Sequence, residues 1–243
     1  MDESLLSGHL FRRGLAAGII GDRVRSWLLG TVLALLLGSW SYSAPDFDRM
    51  LEVVVQRGGN AAAQRFQSWR NLVAAGGGGT DFERMTRVNE FFNRQIAFGD
   101  DPVIWGQPDY WATLLETLGL GRGDCEDFVI AKYFTLHLLG LAPERLRLVY
   151  VRARTGTGDV ASAQAHMVLA YYAQPDAEPL VLDNLISEIR PASRRPDLSP
   201  VFSFNNEGVF TGSPGKGDVK IGGIGRLSRW EDLLKRARAE GFE

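Results

Sequence analysis

Cysteine is the scarcest residue of this chain, since Cys125 is the only one in 243 residues. One cysteine excludes an internal disulfide. An excess of one charge is also lacking: the formal net charge is −2 with no long block of either sign, which argues against a nucleic-acid-binding surface.

The glycines at 76–79 lack the strand before and the Lys-Ser/Thr after that a nucleotide-binding loop requires, so we interpret them as a flexible break. Apolar residues, by contrast, make up 45% of the chain, which is enough for a folded core.

The first 43 residues have the layout of a secretory signal. Four arginines precede an uncharged apolar run from Trp27 to Trp40, and small residues stand before Ala44. The run is shorter than the about 20 apolar residues that a transmembrane helix needs. We therefore predict a signal peptide at 1–43, with an uncleaved N-terminal anchor as the alternative, and one domain at 44–243 that has no stable membrane insertion after cleavage. An unpaired thiol kept in an oxidising compartment favours a catalytic role for Cys125.

The spacing of apolar residues predicts helices first and strands afterwards. Helical spacing is found over 46–56, 60–75 and 80–92 and again from 125 to a stop at Gly140, and a capping box at Ser228 predicts a C-terminal helix that ends near Gly241. Alternating or continuous apolar runs predict strands at 96–98, 146–153, 165–172, 180–185 and 201–204. Because this order lacks βαβ alternation, we predict an α+β domain in which helices pack on an antiparallel sheet.

Cys125 lies directly after a glycine-rich turn, at the start of a predicted helix. Asp124 has the position of an N-cap, and Asp127 has that of the acid in a capping box. Cys125 is then the first helical residue, where free backbone N–H groups and the helix dipole favour a thiolate. A lone cysteine in this position is a candidate nucleophile, and the competing interpretation is a small buried apolar residue.

A histidine and an acid follow on two neighbouring predicted strands. His166 falls on the second strand of the predicted sheet, and Asp183 falls near the end of the third. The other histidines are unsuitable, because His9 lies in the leader and His137 lies roughly 18 Å along the cysteine helix. His166 is therefore the candidate general base, with Asp183 orienting its ring. Taken alone, His166 or Asp183 is more simply explained by a structural role. Together with Cys125, in this order along the chain, they favour a cysteine nucleophile.

Three motifs carry a resemblance to a known family. They are Gly123-Asp124-Cys125-Glu126-Asp127-Phe128 with Ala131-Lys132-Tyr133, then His166-Met167-Val168-Leu169, then Leu182-Asp183-Asn184. These motifs resemble those of the bacterial transglutaminase-like cysteine proteinases, in particular the LapG-type periplasmic proteases, over about 105–205. The resemblance implies a papain-like or transglutaminase-like core and a Cys-His-Asp triad at Cys125, His166 and Asp183. One departure is Leu114, where we expect the family to have a proline, and it affects local loop shape rather than the triad.

The resemblance also implies a substrate and a regulator. Proteases of this kind are expected to hydrolyse a paired-alanine site near the N-terminus of a very large surface adhesin, which releases the cell from a biofilm. Their usual partner is an inner-membrane cyclic-di-GMP receptor, whose periplasmic domain sequesters the protease.

Three carboxylates, those of Asp124, Glu126 and Asp127, surround the candidate nucleophile in sequence. Negative charges near a thiol raise its pKa and oppose the effect of the helix terminus. Hard oxygen ligands in an exported protein suit Ca²⁺, so we predict a calcium ion bound by Asp124 and Glu126, with Asp127 or loop carbonyls completing the shell. The resemblance likewise implies calcium dependence. In the competing interpretation, the two aspartates only cap the helix and Glu126 pairs with Arg122.

These observations together predict a periplasmic, calcium-dependent cysteine endopeptidase. Its first oxyanion donor is expected to be the backbone N–H of Cys125, and the second an indole N–H of Trp105 or Trp111. The residues leave three alternatives open. Two are enzymes with the same triad, a transglutaminase-type acyl transferase and a cell-wall peptide amidase. The third is a non-catalytic periplasmic binding module.

Overall fold

The structure is a computed structural model that describes residues 45–156, 162–211, 219–223, 225 and 227–242. The predicted signal segment at 1–43 lies outside these residues. Residues 45–243 form one compact unit. Within the described part of the chain, no helix is both long enough and apolar enough to cross a bilayer.

Two helices precede the first strand in the described part of the chain, which begins at residue 45. Helix α1 spans Phe47–Ala75, and the two helices predicted there are joined across a kink at Gly58 and Gly59, whose backbone angles are not helical. Gly59 has φ of 59°, a value that glycine adopts without steric cost. Helix α2 spans Asp81–Gln95 and begins with the predicted capping box, in which Thr80 and Glu83 exchange side-chain-to-backbone hydrogen bonds.

Two short helices that the spacing did not predict lie before Cys125. Helix α3 spans Asp101–Ile104, and helix α4 spans Leu114–Leu120. A capping box between Thr113 and Glu116 starts α4, and this Thr-x-x-Glu signal was present in the sequence. Leu114 is the first residue of α4. The backbone N–H of the first helical residue has no partner within the helix, so proline, which lacks this N–H, is favoured there. Leucine and proline are therefore both compatible with the local backbone.

The helix that carries Cys125 lies at the centre of the core. Helix α5 spans Cys125–Leu138, with Asp124 as its N-cap as predicted, and every residue from 127 to 136 is buried. A helix that is buried on all sides has little amphipathic character, which agrees with its mostly apolar sequence. Strands β1 (Ala97–Phe98) and β2 (Arg122–Gly123) pair in parallel immediately before α5 and fix where it starts.

Seven strands follow among the described residues: β3 (Leu146–Thr155), β4 (Ser162–Tyr171), β5 (Leu180–Leu182), β6 (Arg190–Pro191), β7 (Leu198–Asn205), β8 (Gly208–Thr211) and β9 (Val219–Gly222). They form one antiparallel sheet in the order β6-β5-β4-β3-β7-β8-β9. The sequence did not predict β6, β8 or β9. The strand predicted at 180–185 ends at Leu182, because Asp183 turns the chain and its carboxylate accepts the Leu185 N–H.

One face of the sheet packs on the helices and the other carries a separate apolar cluster. Met167, Leu169 and Leu182 face the main core, in which α5 lies. The reverse cluster consists of Val149, Val151, Val168, Ala170, Tyr172 and Val181. This arrangement of helices on an antiparallel sheet confirms the predicted α+β class.

A C-terminal helix, α6, spans Ser228–Ala239 and closes the core through the buried Trp230. The predicted capping box at its start is wrong. Leu227 is the N-cap and Ser228 is already helical, so no side-chain capping bond forms.

Candidate active site

His166 and Asp183 meet where β4 and β5 run side by side. The His166 Nε2 lies 2.8 Å from Asp183 Oδ1, and both side chains are buried. Burial raises the pKa of Asp183, but the hydrogen bonds from His166 and Arg195 and the nearby charge of His166 outweigh it and lower that pKa to about 2. An ionised carboxylate can only accept, so Nε2 carries the hydrogen and Nδ1 is left for the proton of a thiol.

Arg195 holds the other side of the Asp183 carboxylate. Its Nη2 donates to Asp183 Oδ2 at 2.7 Å and to Asp197 Oδ2 at 2.7 Å. Only 2% of Arg195 is exposed. Our reading of the sequence missed this residue, because an arginine in a loop between strands carries no periodic or motif signal.

Cys125 is the first residue of α5 and its thiol is half-buried and free. The Sγ donates to the Glu126 carboxylate at 2.7 Å. Burial and then the charge of Glu126 raise the thiol pKa far above its ordinary value, while a hydrogen bond from the Met167 backbone has the opposite effect. Met167 follows His166 in β4, so the thiol lies against the backbone beside the imidazole. Among the described residues, however, the sulfur does not hydrogen-bond to the His166 ring.

Three aspartates form a cluster at the start of the cysteine helix. Asp101, Asp124 and Asp127 offer oxygens that all lie within 4.8 Å of one another. Burial, with mutual repulsion, raises the pKa of Asp124 to about 9 and that of Asp127 to about 8. Backbone N–H groups of Tyr110 (2.5 Å) and Ala112 (2.7 Å) donate to Asp101 and Asp127.

The cluster fits a divalent cation. The Oδ1 of Asp101 is buried and has no hydrogen-bond partner in the described part of the chain. No ion pair between described residues neutralises any of the three carboxylates. Like charges this close are stable together only when they share protons or a cation, and carboxylate oxygens are the ligands that Ca²⁺ prefers.

The observed cluster differs from the predicted ligand set. Asp124 and Asp127 belong to it, but the Glu126 carboxylate is at the Cys125 thiol instead and makes no ion pair with Arg122 among the described residues. Asp101, the third member of the cluster, was not among the predicted ligands, because it lies 24 residues before Cys125 in the sequence. The capping interpretation also holds in part, since Asp124 Oδ1 accepts the Asp127 N–H at 3.4 Å.

The two tryptophans predicted as oxyanion donors differ in position. Trp111 is buried and stacks on Phe204 with ring centroids 5.6 Å apart, so it belongs to the core. Trp105 packs on Tyr110 at 4.5 Å. Each indole N–H lacks a partner among the described residues, and the oxyanion role of either one stays a prediction.

A cysteine at a helix N-terminus, packed on an antiparallel sheet that carries a His–Asp pair, defines the class of papain-like and transglutaminase-like cysteine enzymes. Within that class, the chain belongs to the bacterial transglutaminase-like cysteine proteinases, whose family model matches residues 74–196. The family and fold predictions are therefore confirmed, and the protein is a cysteine peptidase.

Solved structures of a Legionella pneumophila protein give the same result. LapG of that organism is 37% identical, with a TM-score of 0.65, and the match covers 79% of this chain and 99% of that chain. EGTA-treated LapG is 37% identical with the same coverage and a TM-score of 0.66. Calcium-bound LapG is 36% identical with a TM-score of 0.65, over 79% of this chain and 98% of that chain. A comparison with curated proteins found no match.

Proposed function

We propose that this peptidase is a periplasmic, calcium-dependent endopeptidase whose triad is Cys125, His166 and Asp183. The main support for this triad is the 2.8 Å hydrogen bond between His166 and Asp183. The Cys125 thiol lies against the backbone of Met167, which follows His166 in β4. This bond leaves one imidazole nitrogen free on a ring that is already oriented, which is what a general base for a thiol requires.

The chemistry follows from these positions. His166 Nδ1 takes the thiol proton, and the Cys125 sulfur attacks the scissile carbonyl carbon. The backbone N–H of Cys125 donates to the oxyanion that forms. Collapse of this intermediate breaks the C–N bond, the amine leaves with the proton from His166, and water then hydrolyses the thioester. Because the thiol now donates to Glu126, it must first turn from that carboxylate to the imidazole.

Calcium is proposed to bind at the cluster of Asp101, Asp124 and Asp127. The unpartnered Asp101 oxygen supports this, as do the existence of calcium-bound and EGTA-treated forms of Legionella LapG. When bound, the ion supplies positive charge that offsets the carboxylates around the thiol.

The substrate, the location and the regulator are proposed from the family resemblance. The substrate is a very large surface adhesin, cut at a paired-alanine site near its N-terminus to control biofilm release. The periplasmic domain of an inner-membrane cyclic-di-GMP receptor is the proposed partner that sequesters the enzyme. Similarity to LapG over nearly the whole of that chain supports the transfer of these roles.

Cleavage of an adhesin fragment tests the function directly. The purified protein is incubated, with calcium or with EGTA, with an N-terminal adhesin fragment and with a fragment whose paired alanines are replaced. Mass spectrometry should find one cut, only in the intact fragment and only with calcium, and Cys125→Ala should abolish it.

Two parallel reactions cover the other enzymes that the triad allows. One contains a cell-wall peptide, and the other contains a primary amine as the acyl acceptor. Cleavage of the cell-wall peptide alone, or incorporation of the amine in place of hydrolysis, would contradict the endopeptidase assignment.

A further inference from the structure

The Asp183 carboxylate is held from two sides, and only the His166 side belongs to the proposed triad. We propose that Arg195 is a positioning residue for this triad: it fixes the orientation and charge of Asp183, and Asp197 holds Arg195 in place. The inference deepens the proposed function, because it rests on Asp183 acting through His166.

The two oxygens of Asp183 have different partners. Oδ1 accepts from His166 Nε2 at 2.8 Å and from the Leu185 N–H at 3.1 Å. Oδ2 accepts from Arg195 Nη2 at 2.7 Å. Rotating the carboxylate would break bonds at both oxygens, so Arg195 locks the plane in which Oδ1 meets the imidazole. Charge-assisted hydrogen bonds of this length are the strong ones.

Arg195 is itself held rigidly. Its Nε donates to Asp197 Oδ1 at 3.0 Å, and its Nη2 donates to Asp197 Oδ2 at 2.7 Å, which is a two-pronged contact with one carboxylate. Its backbone N–H donates to Ala192 O at 3.0 Å, at the end of the 3₁₀ turn Ala192–Arg194. Two of the three guanidinium nitrogens, Nε and Nη2, are thus held by hydrogen bonds, while Nη1 is buried without a partner among the described residues. A buried side chain held in this way moves little and keeps Asp183 in place.

Other charged groups near Asp183 cannot replace Arg195. His166 comes from β4, and its charge changes during the reaction. Lys132 comes from α5, but its Nζ has no hydrogen-bond partner among the described residues, and burial lowers its pKa to about 7. Arginine stays protonated at every pH that a folded protein tolerates. Arg195 is therefore the one described group that supplies Asp183 with a constant positive charge in direct contact.

The test compares Arg195→Met and Arg195→Lys with Arg194→Met, a change at the exposed neighbouring residue. Two readouts do not require the natural substrate. The first is the downfield proton NMR signal of the His166 Nε2–H. The second is the pH profile of Cys125 alkylation by iodoacetamide in calcium-containing buffer, which is unambiguous because the chain has one cysteine.

Arg195→Met should shift or remove the His166 Nε2–H signal and change the pH profile of Cys125 alkylation, because a loosely held Asp183 no longer fixes the imidazole beside the thiol. Hydrolysis should fall about 10- to 100-fold, mainly in kcat, which is the range for losing a hydrogen bond to a charged group. Arg195→Lys should restore part of each effect, and Arg194→Met should change none of them.

Lower hydrolysis with an unchanged His166 signal and an unchanged alkylation profile would overturn the proposal, since a merely structural arginine gives that pattern. If thermal melts show that Arg195→Met does not fold, the test uses Arg195→Lys and Asp197→Asn in its place. An unchanged His166 Nε2–H signal in both variants would also overturn the proposal. A wild-type protein that cleaves no adhesin would refute the proposed substrate, whereas the NMR and alkylation readouts would still test Arg195.

Discussion

The two halves of the candidate site differ in how their charges are balanced. On the sheet, imidazole, carboxylate, guanidinium and carboxylate follow one another in a hydrogen-bonded row that runs from His166 to Asp197. On the helix, the Cys125 thiol lies beside Glu126 and three clustered aspartates, and no ion pair between described residues balances them. The carboxylates of the sheet half are thus balanced by the chain itself, whereas those of the helix half are not, which is why we propose that a cation from solution binds there.

This contrast separates two tasks within one active site. The base and its orienting acid are preorganised by the chain itself, so their geometry should depend little on solution conditions. The nucleophile sits in an excess of negative charge, so its reactivity should depend strongly on them. Calcium is then expected to control the thiol while leaving the His166–Asp183 pair unchanged.

The largest expected effect comes from Asp183→Asn, which breaks the sheet half at its centre. An amide presents a donor as well as an acceptor and removes the charge that fixes the imidazole tautomer, so kcat should fall about 10⁴-fold, as for the equivalent change in serine proteases. Steady-state hydrolysis measures this loss. Asp197→Asn, one step further along the row, is the matched control and should cost far less. A loss under tenfold for Asp183→Asn would show that the pair does not act in catalysis.

The next largest expected effect is the rise in thermal stability when calcium binds to the helix half. Calcium at 100 times its Kd should stabilise the fold by about 2.7 kcal/mol, which for a domain of this size raises Tm by roughly 5–10 °C. Asp101→Asn should remove most of this shift, and Asp100→Asn, at an exposed neighbouring acid, should keep it. Differential scanning calorimetry with calcium or EGTA gives the values. Equal shifts in both variants would place the ion elsewhere.

Lys132 provides a smaller effect on stability, because this lysine of α5 is fully buried near Asp183. Its pKa is lowered by burial to about 7 in the fold, against about 10.4 in an unfolded chain. Between these values the unfolded state binds more protons, so the unfolding free energy of the wild type should rise with pH from about 7 to 10. Lys132→Met should be more stable by about 1–3 kcal/mol at pH 7, as when buried ionic groups are replaced by apolar ones.

The gain from Lys132→Met should shrink toward pH 10, where the wild-type lysine no longer has to lose its proton on folding. Urea unfolding at pH 7, 8.5 and 10 measures the trend. Lys235→Met, at an exposed position of α6, should show no such trend. A gain that is constant with pH would mean that Lys132 is charged, and therefore paired, in the folded protein.

The contrast between the halves also explains what the sequence could predict. Cys125, His166 and Asp183 could be predicted as the candidate triad because a lone cysteine after a glycine turn, and single polar residues on apolar strands, stand out against a periodic background. Arg195 and Asp101 were missed, since Arg195 follows a short 3₁₀ turn and Asp101 begins the four-residue helix α3, and the positions of both segments depend on tertiary packing. Glu126 as a calcium ligand stays a prediction. Its carboxylate accepts from the Cys125 thiol, and sequence distance does not show which of the adjacent helical residues faces the aspartate cluster.

The same limit applies to the secondary structure. Long helices and the paired strands β3 and β4 have strong periodicity and were predicted with small errors in their bounds. Short elements such as β6 and α3 contain too few residues to show a period. β6 pairs with β5 at the edge of the sheet, and α3 begins at Asp101 of the aspartate cluster. A predicted capping box forms only when the helix begins at the expected residue, which holds at Thr80 and fails at Ser228.

The smallest expected effect is the change in stability when a residue at the start of each of two helices, Thr113 at α4 and Ser228 at α6, is replaced by alanine. The comparison also tests whether the start of α4 contributes to the helix half of the site. Thr113 makes a capping box with Glu116, and the neighbouring Ala112 N–H donates to Asp127 of the calcium cluster. Thr113→Ala should therefore lower the unfolding free energy by about 1 kcal/mol. Ser228→Ala should change it by less than about 0.5 kcal/mol, because Ser228 makes no capping bond. Urea unfolding in EGTA measures both, and a calcium titration of Thr113→Ala adds a second readout. Unchanged calcium affinity would show that the backbone around Ala112 is fixed by the core rather than by the cap, whereas weaker binding would make the start of α4 part of the calcium site.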